Sequence, residues 1–267
     1  MISHNFFNDL FVIPILNLLV LFHTLFEKVH LPGAFGFAII ALTVFIRLIL
    51  NPFFHKQLHT AKKMQELKPH LDKIQKKHKG DKAKLQQEQM KLYQQAGINP
   101  ASGCLFMIIQ IPIFIGLYQT LSVFLLNGNG AKVIANINSV LYAPFLKIIT
   151  IDPGFLGFNL ALSPQKAGLG YYYLIPVITA VLQYYQAQTM QPSAAKALDG
   201  KPTKESKDKK AEKTSSGEDF QKAMNMQMKY IFPLFIGWFA FSLPVGLSLY
   251  WNIFSIFSII QYRNSKS

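Results

Sequence analysis

"FPLFIGWFAFSLPVGLSLYWNIFSIFSIIQ", residues 232–261, runs for thirty residues without one charged side chain. A helical crossing needs about 20 apolar residues to cover about 30 Å of hydrocarbon. The run therefore reads as two crossings folded back at "SLPVG", residues 242–246, where Pro244 and Gly246 mark a turn. A tight helical hairpin is expected. Its arms are short: "YIFPLFIGWFAFSL" gives only about 21 Å of helix, so its flank "MNMQMK" must contribute or the bilayer must thin around it. The rest of the chain fits the same class. Of its 267 residues, 51% are hydrophobic, yet the net charge is +14. Apolar residues bunch into long runs and charges into separate blocks, the pattern of a polytopic membrane protein.

Five stretches look able to span: roughly 34–54, 104–126, 169–189, 225–243 and 245–262. Lysine and arginine counts orient them. Segment 56–100 holds eleven Lys and four acids, 191–225 holds eight Lys and six acids, and the tail adds Arg263 and Lys266. Segment 127–169 has only Lys132, Lys147 and Lys166 as basic residues. The first two segments and the tail are thus placed in the cytoplasm and 127–169 outside, with an outer N-terminus. Residues 10–26, "LFVIPILNLLVLFHTLF", leave two readings open. Asn17, Thr24, Glu27 and Lys28 recur on one helical face, which suits an amphipathic helix in the outer interface. The other reading is a sixth span. The chain divides accordingly into an interfacial helix 1–30, first span 31–55, cytoplasmic helical hairpin 56–100 broken at "KHKGDK", second span 101–126, extracytoplasmic segment 127–168, third span 169–190, disordered lysine-rich loop 191–224, fourth span 225–243, fifth span 244–262 and cytoplasmic tail 263–267. The fold class is an all-α integral membrane protein.

Several chemistries find no support. The lone Cys104 leaves no intrachain disulfide. The first residues show neither a basic n-region nor a small-residue cleavage site, so no signal peptide is expected. There is no GxxxxGK[ST] loop for nucleotide. His55 and His59 are four apart, but Lys56 stands where a zinc hydrolase needs Glu, so these histidines read as headgroup-level residues and no metal or cofactor is expected. No GxSxG appears and the spans lack Asp and Glu, which removes an intramembrane hydrolase or a carboxylate proton relay. An enzyme is not expected.

The polar residues inside the spans say more. Thr43 and Arg47 share a face of the first span at i,i+4 spacing. Thr179, Gln183 and Gln186 form a stripe on the third. Ser248, Asn252 and Ser255 form another on the fifth, beside Trp251, and the second carries Gln110 next to Pro112. Plainer readings exist. Arg47 can snorkel towards the cytoplasm at a cost of about 2.5–3.5 kcal/mol, and interhelical hydrogen bonds average about 0.6 kcal/mol each. Three polar stripes with no acidic partner favour a wet cavity whose only charge is Arg47, its anion coming from water or a ligand.

"MKLYQQAGINPASGCLFMIIQIPIFIGLYQTL", residues 90–121, closely resembles the signature of the YidC/Oxa membrane-protein insertase family. "TVFIRLILNPF" (43–53), "YYYLIPVITAVLQ" (171–183) and residues 232–261 resemble its other spans in order. The resemblance implies a five-helix core with a hydrophilic groove open to cytoplasm and lipid, with Arg47, Thr43, Gln110, Gln183 and the Tyr250–Trp251 pair at groove positions. It implies a non-catalytic membrane protein insertase and chaperone in the bacterial plasma (inner) membrane. Nascent membrane proteins and lipid would be its partners, with the ribosome and the Sec translocon as further candidates and no nucleic-acid sequence recognition. Against the pattern of that family, no large periplasmic domain, no lipoprotein signal and no long basic tail are expected here. Ribosome contact would therefore fall to the lysine-rich segments 56–100 and 193–219. A channel or transporter subunit, or a structural membrane partner, is the alternative.

Overall fold

The computed structural model describes residues 3–78, 80–97, 101–126, 130–168, 170–190 and 227–264; the side chain of Gln110 and the lysine-rich loop 191–224 lie outside the described residues. The chain is mostly helical. A π-helical turn, Asn8–Val12, leads into α1 (Ile13–Lys28), followed by α2 (Ala34–Ile49), α3 (Asn51–Glu66), α4 (Lys68–Lys77), α5 (Lys82–Gln95) and α6 (Ala101–Leu126). Segment 130–168 contributes α7 (Ala131–Ser139), a two-stranded hairpin of β1 (Gly154–Phe155) and β2 (Phe158–Asn159), and the short α8 (Pro164–Ala167). Then come α9 (Leu174–Met190), α10 (Phe232–Ser242) and α11 (Val245–Asn264).

The core is a cluster of Leu16, Leu19, Leu42, Leu117 and Leu121 between α1, α2 and α6. Helices in lipid gain little from the hydrophobic effect, so close packing at small residues must hold them. Two glycines show this. Gly116 of α6 lies under Phe11, where a Cβ would stand 3.1 Å from the Phe11 Cβ; one at Gly237 of α10 would stand 2.6 Å from the Ala180 Cβ of α9. Meanwhile Leu174, Val181, Leu234 and Trp238 are exposed. Apolar faces of that extent are rare on soluble monomers and suit hydrocarbon.

Among the described residues, 8–28 and 245–264 are long and apolar enough to cross a membrane, while Ala34–Ile49, Ile111–Leu126 and Phe232–Ser242 are shorter apolar helices. Three local expectations need correction. The fifth span is not short: α11 has 20 residues and runs on through Tyr262 and Arg263 to Asn264, because nothing in "QYR" breaks a helix. The SLPVG hairpin is not a packed pair: α10 and α11 meet near the turn, and both lean on α9. Gly246 is not the pivot of that turn but sits in the first turn of α11, where a Cβ would stand 2.6 Å from Leu125 Cδ1. Third, the polar face drawn for 10–26 is not continuous. Asn17 turns inward, 5% exposed. Its amide donates to the carbonyls of Ile13 (2.8 Å) and Val140 (3.0 Å) and its Oδ1 accepts from the Tyr142 N–H (2.7 Å). It clamps segment 130–168 onto α1.

α10 continues backward into a π-helical turn, Gln227–Ile231. The combined element over 227–242 is roughly 24 Å long. α4 ends at Lys77 and α5 begins at Lys82, where Asp81 caps it by accepting from the Lys84 N–H (3.0 Å).

Candidate functional site

Arg47 stands in the last turn of α2, 3% exposed. Its guanidinium lies on the Phe254 ring at 3.6 Å and faces Phe54 at 5.7 Å. A desolvated stack of this kind contributes about 2 kcal/mol or more. Nη2 donates to the Phe254 carbonyl (3.2 Å) and to the Ser258 hydroxyl. Nε is buried without a partner, and among the described residues no carboxylate forms an ion pair with this arginine. A charge so placed keeps unspent capacity for an anion.

The two predicted stripes of α9 and α11 meet. Gln183 Nε2 donates to Ser255 Oγ at 3.1 Å, and one turn on Gln186 Nε2 reaches Ser258 Oγ at 3.4 Å. Each serine also donates to its own helix, Ser255 to the Trp251 carbonyl (2.9 Å) and Ser258 to that of Phe254 (2.8 Å). Ser258 thus joins α2, α9 and α11 at one hydroxyl. Higher on α11, the Ser248 hydroxyl and Asn252 Oδ1 are buried with no partner, a state normally met by water or a ligand. At the other end, Gln261 donates to Asn51 Oδ1 (2.9 Å), tying α11 to the kink before Pro52. Thr43 is buried beside Arg47, but its hydroxyl donates to the Ile39 carbonyl (2.7 Å), as Thr179 does to Ile175 (2.9 Å). Neither hydroxyl donates to the other stripes.

Two cavities adjoin. The one around Arg47 and Thr43 is closed down by Phe254, Leu50 and Ile113, leaving about 10 Å³ for water centres, room for one water. The second, about 220 Å³, is lined only by apolar surface from Phe114, Tyr118, Phe239 and Trp251. Leu117 and Tyr250 belong to both and form the wall between. Trp251 stacks on Phe114 at 5.6 Å. A single positive charge therefore sits one side chain away from an apolar chamber.

Sequence reasoning missed Ser258, Phe254, Phe54 and the Asn51–Gln261 bond. Ser258 follows Ser255 at i+3 and was open to the spacing rule. Phe54 follows Arg47 at i+7, two turns along the same helical face, and was open to that rule as well.

Residues 25–266 match the family model described as the 60Kd inner membrane protein. A membrane protein insertase YidC of Oceanobacillus iheyensis is 31% identical over 264 residues, 97% of this chain and 83% of that protein. ALBINO3-like protein 1, chloroplastic, of Arabidopsis thaliana is 34% identical over 240 residues, 88% of this chain but 44% of that protein. A membrane protein insertase YidC of Aquifex aeolicus is 31% identical over 232 residues, 86% of this chain and 34% of that protein. The chain thus spans most of the first relative and less than half of the other two.

Proposed function

We infer the function from one premise: this chain belongs to the 60Kd inner membrane protein family, the family of the YidC/Oxa insertases. It is a membrane protein insertase and chaperone of the bacterial plasma membrane, and its work is non-covalent. The observation that carries this reading is the position of Arg47, an acid-free charge at the junction of a polar seam and an apolar chamber.

The bundle crosses five times, by α2, α6, α9, the 227–242 element and α11, with the C-terminus in the cytoplasm and segment 130–168 outside. The helix over 8–28 is long enough for a sixth crossing; its contacts run obliquely along α2, with Phe22 reaching Phe45 in the inner half, and we read it as an interfacial helix. Phe26 meets Phe37, His23 meets Phe35, and Thr120 of α6 donates to the Val12 carbonyl at 3.3 Å. On this reading the N-terminus is outside.

A nascent chain first meets the lysine-rich helices α3–α5. Opening of α3 about Asn51–Pro52 withdraws Phe54 and admits water and the chain's short polar outer segment. Arg47 then exchanges its uncharged partners, a carbonyl and a hydroxyl, for a substrate carboxylate, which brings an opposite charge and a bidentate geometry that the guanidinium fork matches. The apolar segment passes through the Phe114–Trp251 chamber to the exposed faces of α6 and α10. Transfer of each Leu, Ile, Phe or Val contributes about 0.3–0.6 kcal/mol, and each acidic charge drawn across gains about 2.3 kcal/mol per 100 mV. The apolar part of the fourth span, residues 230–243 and about 21 Å of helix, is shorter than about 30 Å of hydrocarbon and thins the bilayer beside this path. The ribosome and the Sec translocon are the partners expected on the cytoplasmic and lateral sides. Photocrosslinkers at positions 47, 183 and 251 test the path: stalled nascent membrane proteins should crosslink at all three, and ribosome-bound chains that crosslink at none overturn it.

A further inference from the structure

We propose that the tip of the β1–β2 hairpin is a lipid anchor that sets Leu156 into the outer leaflet at the boundary of headgroups and acyl chains. The inference rests on the reading of α9 as a membrane span. Leu156 is 77% exposed and holds a φ of +48°. It occupies a two-residue tip, between the paired Phe155 and Phe158, where Asn-Gly is the unstrained choice. A leucine there carries backbone strain and buries almost nothing against its own chain. Its neighbour does the packing: Phe155 is 7% exposed, seated on Gly33 and Gly36 and edge-on to Phe37 at 5.1 Å.

What lies beside the tip identifies its occupant. The Tyr171 hydroxyl donates to the Gly157 carbonyl (3.2 Å), and the Tyr172 hydroxyl accepts from the Asn159 N–H (2.7 Å). The hairpin is thus fastened to the turn that opens α9. From Tyr171 downward, Leu174, Ile178, Val181 and Tyr185 follow at helical spacing, 57%, 45%, 47% and 58% exposed. On a span, that stripe faces acyl chains, and tyrosines at its head sit at headgroup level. The Tyr171 bond to Gly157, the residue after Leu156, sets the tip beside the outer end of that strip, and on this proposal its surroundings are lipid.

Nitroxides at Leu156→Cys, Val181→Cys and Lys166→Cys, each in a Cys104→Ser background and reconstituted in phospholipid vesicles, test this by collision with oxygen and with a water-soluble nickel chelate. Position 156 should favour oxygen, between a deeper Val181 and an aqueous Lys166. Overturning results are a position 156 as open to nickel as 166, or one shielded from both reagents, which means that protein covers it. If Val181 itself reads as aqueous, α9 is not a span and the function proposed above loses its frame as well.

Discussion

Arg47 is held by what a guanidinium accepts when no carboxylate is near: an aromatic face, a carbonyl and a hydroxyl already bonded elsewhere. Such a residue is costly to its own fold. Replacing buried ionic groups by apolar ones of similar volume is often neutral or stabilising by about 1–4 kcal/mol. Arg47→Met leaves Ser258 still bonded to the Phe254 carbonyl. The expected outcome is an unchanged or raised Tm in detergent, by a few degrees, together with insertion reduced by about tenfold or more, equivalent to about 1.4 kcal/mol. Calorimetry beside a vesicle insertion assay checks both; a clear fall in Tm would mean that the arginine is a structural strut. The contact between α9 and α11 was legible in part, because Gln183, Gln186 and Ser255 keep helical spacing on their two helices. Spacing reveals a face but not a hydroxyl's chosen acceptor, so Thr43 and Thr179 read as groove residues although each bonds its own helix.

Closure belongs to whole elements. α3 leaves the bundle at Asn51–Pro52, yet its first turn returns Phe54, 1% exposed, beneath Arg47. The cavity beside Arg47, walled by Phe254, Leu50 and Ile113, holds about one water. Phe54→Ala is expected to open it, so that Gln183→Cys in a Cys104→Ser background reacts several-fold faster with a polar maleimide from the cytoplasmic side. An unchanged rate would place the gate elsewhere. Phe54 stands at i+7 from Arg47, on the same helical face, so the pairing was legible in the spacing, although the apolar run marks Phe54 only as the end of a span. Helix ends were misread for a related reason. Hydropathy fades after Ile260, but the backbone stays helical to Asn264 since no Gly or Pro intervenes.

At the scale of the molecule, the apolar runs were enough to show a mostly helical membrane protein. Segment 130–168 was not readable beyond its low charge. Its two-residue strands carry no alternation, and their place is fixed by Phe155 on the glycines of α2 and by the Val245 and Gly246 N–H groups, which donate to the carbonyls of Leu162 and Leu160, each at 2.9 Å. That strap closes the bundle at the end opposite α3, as expected of a path that opens to cytoplasm and lipid. The N-terminal helix remains the sharpest topological question. With five crossings, Ser3→Cys in a Cys104→Ser background should react with an impermeant maleimide added outside intact cells; reaction only after permeabilisation would mean six.

The charge of Arg47 is most directly tested by a double substitution across the contact. One substrate carries an acidic outer tail; its twin has the same tail with Asp and Glu changed to Asn and Gln. Arg47→Ala should cut insertion of the acidic substrate by about tenfold and leave the neutral twin nearly unaffected, with Arg47→Lys restoring part of the loss. Equal loss for both substrates, or no loss for either, would contradict a role for Arg47 as the receptor of the substrate's carboxylate.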